Sequence, residues 1–233
     1  MRLYRFFTEE RIQRNGRAVI GDQKLLHQWR HVLRLKPGDE VILFDGFGQD
    51  FRCELASLET KEAVCLVRES TKSASAPAQQ LCLFVSLIKR ERFEWLLEKV
   101  TELGVAQIRP IIADRSEARR FNLERAKTIV KEAAEQSGGT LPALYESMEL
   151  QNAFQEYHFF KTIAFDPNGE PFKKSGWNSE EKLGACIGPE GGWSARELEF
   201  FRKQKATVSS LGAPTLRAET AAVAVTSLLL LES

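Results

Sequence analysis

The segment CIGPEGGWSARELEFF, residues 186–201, has the residue types of a ligand-binding loop. It matches neither the G-x-x-x-x-G-K-[ST] nor the G-x-G-x-x-G phosphate-binding pattern, and it carries Glu190 where a phosphate site would need a cation. Ser194 and Glu197 have the spacing of a capping box, which predicts that a helix begins there. Three glycines allow the backbone to approach a ligand closely: Gly188, Gly191 and Gly192. The segment favours a neutral or cationic ligand held by backbone groups, with a purely structural turn as the alternative.

Two further segments combine a strand end with polar residues. SLIKRERF spans residues 86–93 and SLGAPTLRAET spans residues 210–220. Ligands of open parallel sheets bind at the carboxyl ends of the strands, so these segments are candidate walls of one site. Arg217 and Glu219 stand at the start of an otherwise apolar helix, where they indicate either a functional pair or a simple surface ion pair.

The elements that must position these segments alternate between strands and helices after residue 80. Continuous apolar runs predict buried strands, and 3.6-residue periodicity predicts the helices between them. The strands are LCLFVSLI, AQIRPII, FFKTIAF, KLGACIG and ATVSSLG. The helices are ERFEWLLEKVTELG, NLERAKTIVKEAAEQSGG, the one from Ser194, and ETAAVAVTSLLLLE. Residues 81–233 are therefore predicted to form an α/β domain with a mainly parallel sheet.

Residues 1–72 have the pattern of a small, mostly β domain. EVILFDGFGQDFRCELASL predicts a hairpin with DGFG as its turn, EAVCLVRE another strand, and DQKLLHQWRHVLRL a short amphipathic helix. Residues 73–80, rich in serine and alanine, are predicted to be a linker.

The chain of 233 residues has a net charge of +1, which argues against a uniformly basic nucleic-acid-binding protein. The distribution is uneven, because residues 1–36 hold nine basic against three acidic residues and residues 109–131 hold seven against three. Two basic faces suit a phosphate backbone, and solvated surface charge is the alternative. The candidate RNA-binding residues are Arg2, Arg5, Arg11, Arg30, Arg34 and Arg115.

Other features limit the class of protein. The four cysteines are widely spaced, which favours buried free thiols over disulfides or zinc. His27 and His31 lack a third ligand nearby, so RNA contact or plain surface is favoured over a metal. The apolar stretch Ala221–Leu231 is shorter than the roughly 20 residues that a membrane span needs, and no leader-like segment opens the sequence. We therefore expect a cytoplasmic protein.

Four motifs in order, RFEWLLEKVTELGV, EAAEQS, IGPEGGWS and LGAPTLRAETA, resemble those of the bacterial ribosomal RNA small-subunit methyltransferase E family, which belongs to the SPOUT superfamily. RLYRFF, HVLRLKPGD and FDGFGQDF look like the PUA-like RNA-binding domain of that family. The resemblance implies an enzyme that uses S-adenosylmethionine to methylate N3 of one uridine in 16S ribosomal RNA. It also implies a trefoil-knotted α/β domain and a homodimer.

The resemblance assigns roles to the glycine-bearing segments. The expected S-adenosylmethionine-binding residues are Leu87, Ile187, Gly188, Pro189, Glu190, Gly191, Gly192, Leu211, Gly212, Leu216 and Arg217. Arg217 is expected to stabilise negative charge on the uracil, and either Glu219 or Glu190 is expected to accept the N3 proton. Alternatives are a SPOUT methyltransferase acting on another base or on a ribose 2′-hydroxyl, and a non-catalytic RNA-binding protein. A dinucleotide-dependent dehydrogenase is disfavoured because the fingerprint is absent.

Aromatic residues near these motifs have structural interpretations. Phe93 and Trp95 are predicted to pack in the core or in a dimer interface rather than to stack on a base. Trp193 directly follows the glycine segment, and core packing and ligand contact both stay open for it. The last helix is apolar nearly all round, which predicts burial on most sides, and a subunit interface would supply it.

Overall fold

The computed structural model describes residues 3–10, 12, 16–46, 48–72, 80–156, 161–173, 182–212 and 214–231. The chain divides into two compact units, which are described separately below. The first contains Met1–Ala76 and Ala134–Thr140, and the second contains Pro77–Ala133 and Leu141–Ser233. The predicted linker lies outside the described residues except for Gln80.

The first unit is built on a five-stranded sheet with strand order β1-β3-β4-β5-β2. The strands are β1 (Tyr4–Phe7), β2 (Arg17–Ile20), β3 (Glu40–Phe44), β4 (Gln49–Leu58) and β5 (Ala63–Lys72). The predicted hairpin is confirmed, since β3 and β4 pair antiparallel on either side of the DGFG segment. Side chains alternate between the two faces of a strand, and the inward set packs around Trp29, which is fully buried against Phe6.

The predicted amphipathic helix is present but is not uniform. It begins as α1 (Gln23–His27), capped by the Asp22 carboxylate, and continues as a π-helical turn over Gln28–Val32. The Leu33 N–H donates to the Gln28 carbonyl at 2.9 Å, one residue further back than in an α-helix. Such an inserted residue leaves no mark on a 3.6-residue apolar pattern, which explains why the sequence did not predict it.

The second unit is built on a parallel sheet of seven strands, with the path β12-β10-β11-β6-β7-β8 and β9 also paired to β7. The strands are β6 (Leu81–Ser86), β7 (Gln107–Ile112), β8 (Ala143–Leu144), β9 (Met148–Glu149), β10 (Lys161–Pro171), β11 (Leu183–Ile187) and β12 (Thr207–Ser210). The helices are α2 (Arg90–Glu102), α3 (Leu123–Ser137, of which residues 134–137 belong to the first unit), α4 (Leu150–Glu156), α5 (Ala195–Lys203) and α6 (Ala218–Leu230). The predicted parallel α/β class is confirmed. The trefoil knot implied by the resemblance stays a prediction.

Both faces of this sheet are covered, which explains the continuous apolar strands. All six side chains of β6 are buried. Leu81, Leu83 and Val85 pack with α2, α3 and α6 on one face, while Cys82 and Phe84 pack with α4 and α5 on the other. All four cysteines are free and buried, as predicted, and burial raises the pKa of the Cys82 thiol to about 12.

Helix α6 is less uniformly buried than its composition predicts. One face, which includes Ala222, Val225 and Leu229, lies in the core. The rest of the helix is half-buried, apart from exposed Thr220. A single chain therefore leaves part of this apolar helix in contact with solvent. None of the described helices is long and apolar enough to cross a bilayer.

Candidate functional site

A cavity of about 320 Å³ lies at the carboxyl ends of β11 and β12 and beside the middle of β10. We call it the glycine-loop cavity, because residues 188–193 form one of its walls. The loops after β11 and β12 both contribute, as the sequence predicts for a parallel sheet. Of the expected cofactor-binding residues, those lining it are Ile187, Gly188, Pro189, Glu190, Gly191, Gly192, Leu211, Gly212 and Leu216.

The glycine loop is held from two sides. The Trp193 indole is only 4% exposed and donates from Nε1 to the Phe165 carbonyl at 2.9 Å, which ties the loop to β10. Arg115, on the segment after β7, donates from Nη1 to the Gly191 carbonyl at 2.8 Å. The structure thus places Trp193 in the core, and it gives Arg115 a bracing role in this loop besides any contact with RNA.

The capping box predicted at the start of α5 is present, and it is hydrogen-bonded to the segment after β7. Ser194 Oγ accepts from the Glu197 N–H, and Glu197 Oε2 accepts from the Ser194 N–H at 2.8 Å. The other oxygen, Oε1, accepts from the Asp114 N–H at 2.9 Å. The pKa of the Asp114 carboxyl is lowered, first by the hydrogen bond from the Ser194 hydroxyl and to a smaller extent by the hydrogen bond from the Arg196 guanidinium. This network fixes the direction in which α5 leaves the glycine loop.

A third wall comes from a bulge in β10 that the sequence analysis did not identify. The register of β10 against β12 jumps between Phe165 and Glu170, and the intervening residues turn into the cavity. The Asp166 carboxylate accepts from the Asn168 N–H at 2.9 Å within this turn. A Cβ at Gly169 would lie 2.7 to 2.8 Å from the Ser209 backbone, so the bulge requires glycine. The sequence DPNG was the available signal, since such residues cluster in turns.

Two expected cofactor-binding residues lie elsewhere. Leu87, in the segment after β6, is 2% exposed and lines a larger cavity of about 560 Å³ beside the start of α3. We call this the α3 cavity. Arg217 is exposed, caps the start of α6 with its carbonyl, and lines a third cavity of about 540 Å³.

The third cavity, the Trp95 cavity, adjoins the glycine-loop cavity because Thr215 and Leu216 line both. Its other lining residues are Glu91, Arg92, Trp95, Arg217, Glu219 and Thr220. Arg92, which the sequence analysis did not single out, lies between the two candidate proton acceptors: 3.4 Å separate its Nη1 from Glu190 Oε1, and 3.8 Å separate its Nε from Glu219 Oε1. These three residues are far apart in the chain, so no sequence pattern relates them.

The predicted RNA-binding arginines differ in their surroundings. Arg2 and Arg11 lie outside the described residues. The Arg5 side chain is 9% exposed, forms a bidentate ion pair with Asp50, donates to the Gly139 carbonyl at 2.7 Å and lies over the Phe44 ring. These contacts hold the first unit together, so Arg5 has a structural role that its position in a basic segment did not reveal.

The remaining basic candidates of the first unit stay accessible. Arg34 is exposed and adopts φ +55°, and Arg30 is half-exposed on the π-helical turn. His27 and His31 lie with ring centroids 4.7 Å apart. Among the residues that the structure describes, no group of three or more His, Cys, Asp or Glu could hold a metal ion.

Comparison with known proteins places this geometry in a family. An RNA methyltransferase domain matches residues 75–230, and an RNA methyltransferase PUA domain matches residues 30–67. The ribosomal RNA small subunit methyltransferase E of Rickettsia conorii is 29% identical over 228 residues, covering 96% of this chain and 93% of the relative. That of Synechocystis is 30% identical over 207 residues, covering 84% and 67%. The chain belongs to the ribosomal RNA small subunit methyltransferase E family.

A solved structure agrees with this family assignment. The ribosomal RNA small subunit methyltransferase E of Neisseria gonorrhoeae, in a crystal structure bound to S-adenosyl methionine, is 25% identical and superposes with a TM-score of 0.88. The match covers 98% of this chain and 97% of that one. The family match to the methyltransferase domain contains all three cavities, and the PUA match lies within the first unit.

Proposed function

We propose that this protein transfers the methyl group of S-adenosylmethionine to N3 of a specific uridine in the 16S ribosomal RNA of the small subunit. The observation that carries the proposal is the glycine-loop cavity, which combines backbone-rich walls with the carboxylates of Asp166 and Glu190 at one edge of the parallel sheet. The names of the relatives support ribosomal RNA as the substrate. The methyl donor is supported by the ligand of the Neisseria gonorrhoeae protein.

The residues of the glycine-loop cavity fit such a donor. Apolar side chains, including Phe165, Ile187 and Leu211, line it together with the glycine backbone. Its charged lining residues among those described are Arg115, Asp166 and Glu190, and the Arg115 guanidinium already donates to the Gly191 carbonyl. With one basic and two acidic side chains, the charged lining is net negative, which suits a sulfonium and an ammonium better than a phosphate. When bound, S-adenosylmethionine supplies an activated methyl group.

The chain's own residues then orient and polarise the acceptor base. Uridine N3 becomes nucleophilic as its imide proton leaves, and negative charge develops on the uracil oxygens. Arg217 presents an exposed guanidinium in the cavity next to the glycine loop and stabilises this charge. Glu219 or Glu190 accepts the proton. Fixing the base next to the methyl donor supplies the rest of the rate enhancement through alignment.

The two domains divide this work. Residues 1–72 form a PUA-like domain that binds RNA, residues 73–80 link the domains, and residues 81–233 carry the methyltransferase site. Arg2, Arg11, Arg30, Arg34 and Arg115 contribute to the RNA-binding faces, and phosphate contacts provide binding energy that offsets extrusion of the target base. A homodimer would cover the half-buried side of α6. We expect the enzyme to act on assembled small subunits in the cytoplasm.

The test is incubation of the purified protein with isotope-labelled S-adenosylmethionine and small subunits that lack this methylation, in parallel with free 16S ribosomal RNA. Nucleoside mass spectrometry is expected to show label in 3-methyluridine. Label in another base or in a ribose would establish a different specificity. RNA binding without methyl transfer, and without a thermal shift from S-adenosylmethionine, would establish a non-catalytic RNA-binding protein.

A further inference from the structure

We infer that the Trp95 cavity receives the target uracil, with Trp95 as its stacking surface and Glu219 as the acceptor of its N3 proton, positioned by Arg92. This inference rests on the proposed function and decides between the two carboxylates that the proposal leaves open. It also assigns Trp95 a role opposite to the core or dimer packing that its sequence context favours.

The position of the cavity suits a base that must reach a bound methyl donor. Thr215 and Leu216 line both the Trp95 cavity and the glycine-loop cavity, so these two residues form a common wall. The α3 cavity shares no lining residue with the glycine-loop cavity. A base in the Trp95 cavity therefore lies next to the donor. The α3 cavity is slightly larger than the Trp95 cavity, but it does not adjoin the donor site in this way.

Trp95 is placed to stack on a base. Its side chain is 45% exposed, whereas Phe93, two residues earlier on α2, is 4% exposed and packs in the core. An indole offers a large flat surface, and extruded pyrimidines stack on such surfaces in single-stranded nucleic-acid sites. Leu216, 37% exposed in the same cavity, adds an apolar contact. The cavity thus combines an aromatic surface with ionisable groups, as a pocket for a polar ring requires.

Glu219 has hydrogen-bonding capacity that the fold does not use. It is 8% exposed, and its Oε2 is buried without a hydrogen-bond partner. Glu197 is the internal comparison, because it is 5% exposed and both of its oxygens accept backbone N–H groups. A buried carboxylate oxygen without a donor is costly and calls for an explanation. A substrate N–H would supply that donor, and rotation about the terminal torsion lets either oxygen meet it.

Arg92 distinguishes the two carboxylates. Its Nη1 donates to Glu190 Oε1 at 3.4 Å, and Glu190 lines the glycine-loop cavity rather than the Trp95 cavity. The 3.8 Å from Arg92 Nε to Glu219 Oε1 is an ion-pair distance but too long for a hydrogen bond. Arg92 thereby holds Glu219 in place without a hydrogen bond to it, which leaves the carboxylate free to accept a proton. Arg217, whose guanidinium forms no hydrogen bond or ion pair within the described part of the chain, faces the same cavity.

The step balances as a proton transfer coupled to a displacement. The N3 proton passes to Glu219, which becomes a neutral carboxylic acid. The electron pair on N3 forms the bond to the methyl carbon, and the pair of the breaking carbon–sulfur bond stays on sulfur, which loses its positive charge. Glu219 then returns the proton to solvent.

The first test measures single-turnover methylation of small subunits at saturating S-adenosylmethionine. Glu219→Gln is expected to lower the rate constant about 100-fold, as for loss of a general base. Glu190→Gln is expected to lower it less than Glu219→Gln does, because Glu190 lines the neighbouring glycine-loop cavity. Glu98→Gln, on the same helix as Trp95 but outside all three cavities, is the matched control and is expected to retain the rate constant within about threefold. Arg92→Ala is expected to lower the rate constant and Arg92→Lys to restore part of it, because lysine keeps the charge. Calorimetry must show unchanged S-adenosylmethionine affinity for Glu219→Gln.

The second test does not depend on catalysis. Ribosomal RNA carrying 4-thiouridine at the target position, bound in the presence of S-adenosylhomocysteine and irradiated with near-ultraviolet light, is expected to crosslink to the peptide that contains Trp95. Trp95→Ala is expected to abolish the crosslink and to raise the KM for RNA about tenfold. Trp95→Phe is expected to restore most of the crosslink and most of the affinity for RNA.

The outcomes separate this inference from the proposed function. A wild-type protein without methyl transfer would refute the proposed function itself. An active wild type with a Glu219→Gln variant of equal rate, or with crosslinks on the α3 cavity, would refute the uracil pocket alone. A Trp95→Ala variant that changes only the oligomeric state in light scattering would assign Trp95 to a subunit interface and also refute it.

Discussion

The tightest packing at the glycine loop occurs at Gly188, so Gly188→Ala tests whether this wall of the cavity is rigid. An added Cβ would lie 3.1 Å from Trp193 Cε2 and 3.3 Å from both Cδ2 and Nε1. The neighbouring Gly191→Ala is the matched control, because its Cβ would meet the Arg115 side chain at 3.3 to 3.4 Å. Neither glycine has a positive φ, so the comparison isolates steric contact from backbone strain.

The two neighbours differ in their freedom to move. Trp193 is hydrogen-bonded to the Phe165 carbonyl at 2.9 Å and packs edge-to-face on Phe201 at a centroid distance of 4.9 Å. It can move only by breaking one of these contacts, so we expect Gly188→Ala to lower the free energy of unfolding by about 1 to 3 kcal/mol, the usual range for overpacking. For a chain of this length that corresponds to a Tm about 3 to 10 °C lower. The Cβ of Gly191→Ala would meet Arg115 at the longer distance of 3.3 Å, so this variant is expected to lower the free energy of unfolding by less than Gly188→Ala, about 1 kcal/mol or less.

Differential scanning calorimetry with and without S-adenosylmethionine measures both effects in one experiment. Because Trp193 and Phe165 line the same cavity, a displaced Trp193 should also reduce the ligand-induced increase in Tm, and the reduction should be larger for Gly188→Ala than for Gly191→Ala. Equal Tm and equal ligand shift for the two variants would refute the claim that Trp193 is fixed and that it shapes the site.

Three further predictions follow from the other contacts. Glu197→Ala leaves two partly buried N–H groups without acceptors and should lower the free energy of unfolding by about 2 to 4 kcal/mol in denaturant titration. Arg5→Ala should destabilise the protein by about 2 kcal/mol or more, whereas Arg34→Ala should leave stability unchanged and weaken RNA binding in a salt-dependent way. The buried thiols of Cys82 and Cys186 should resist alkylation at pH 8 until the protein unfolds. Because burial raises the pKa of Cys82 to about 12, its contribution to stability is complete below the unfolded value of about 8.5 and should decline as pH rises from there towards 12.

Much of the second unit could be predicted because its signals are local. The Ser194 capping box and the left-handed Gly104 at the end of α2 mark helix ends within a few residues. The apolar runs of β6 and β11 are buried along their whole length, which is the case in which composition alone indicates a central parallel strand. Nine of the expected cofactor-binding residues meet in one cavity for the same reason, since loops after parallel strands share one edge of the sheet.

The elements that were missed depend on distant contacts. Residues 166–169 bulge out of β10 only because β12 resumes pairing at Glu170, and no local pattern predicts where a register resumes. Strands β8 and β9 have two residues each, too few for any periodicity. Arg5 has the same residue type and the same basic surroundings as an RNA-binding arginine, and its burial appears only once Asp50, on β4, lies beside it.

The two buried glutamates show why residue type and motif position could not assign the proton acceptor that we propose. Glu197 and Glu219 both lie in the first turn of a helix after a strand, and both are more than nine-tenths buried. They differ in their partners, since Glu197 has a donor for each oxygen and Glu219 has one cation at 3.8 Å. A carboxylate that the fold satisfies stabilises the fold, and one that the fold leaves short of donors is available to a ligand. Exchanging these roles, by giving Glu219 a second internal donor, should therefore stabilise the protein and suppress methyl transfer, and a more stable variant with full activity would contradict the distinction.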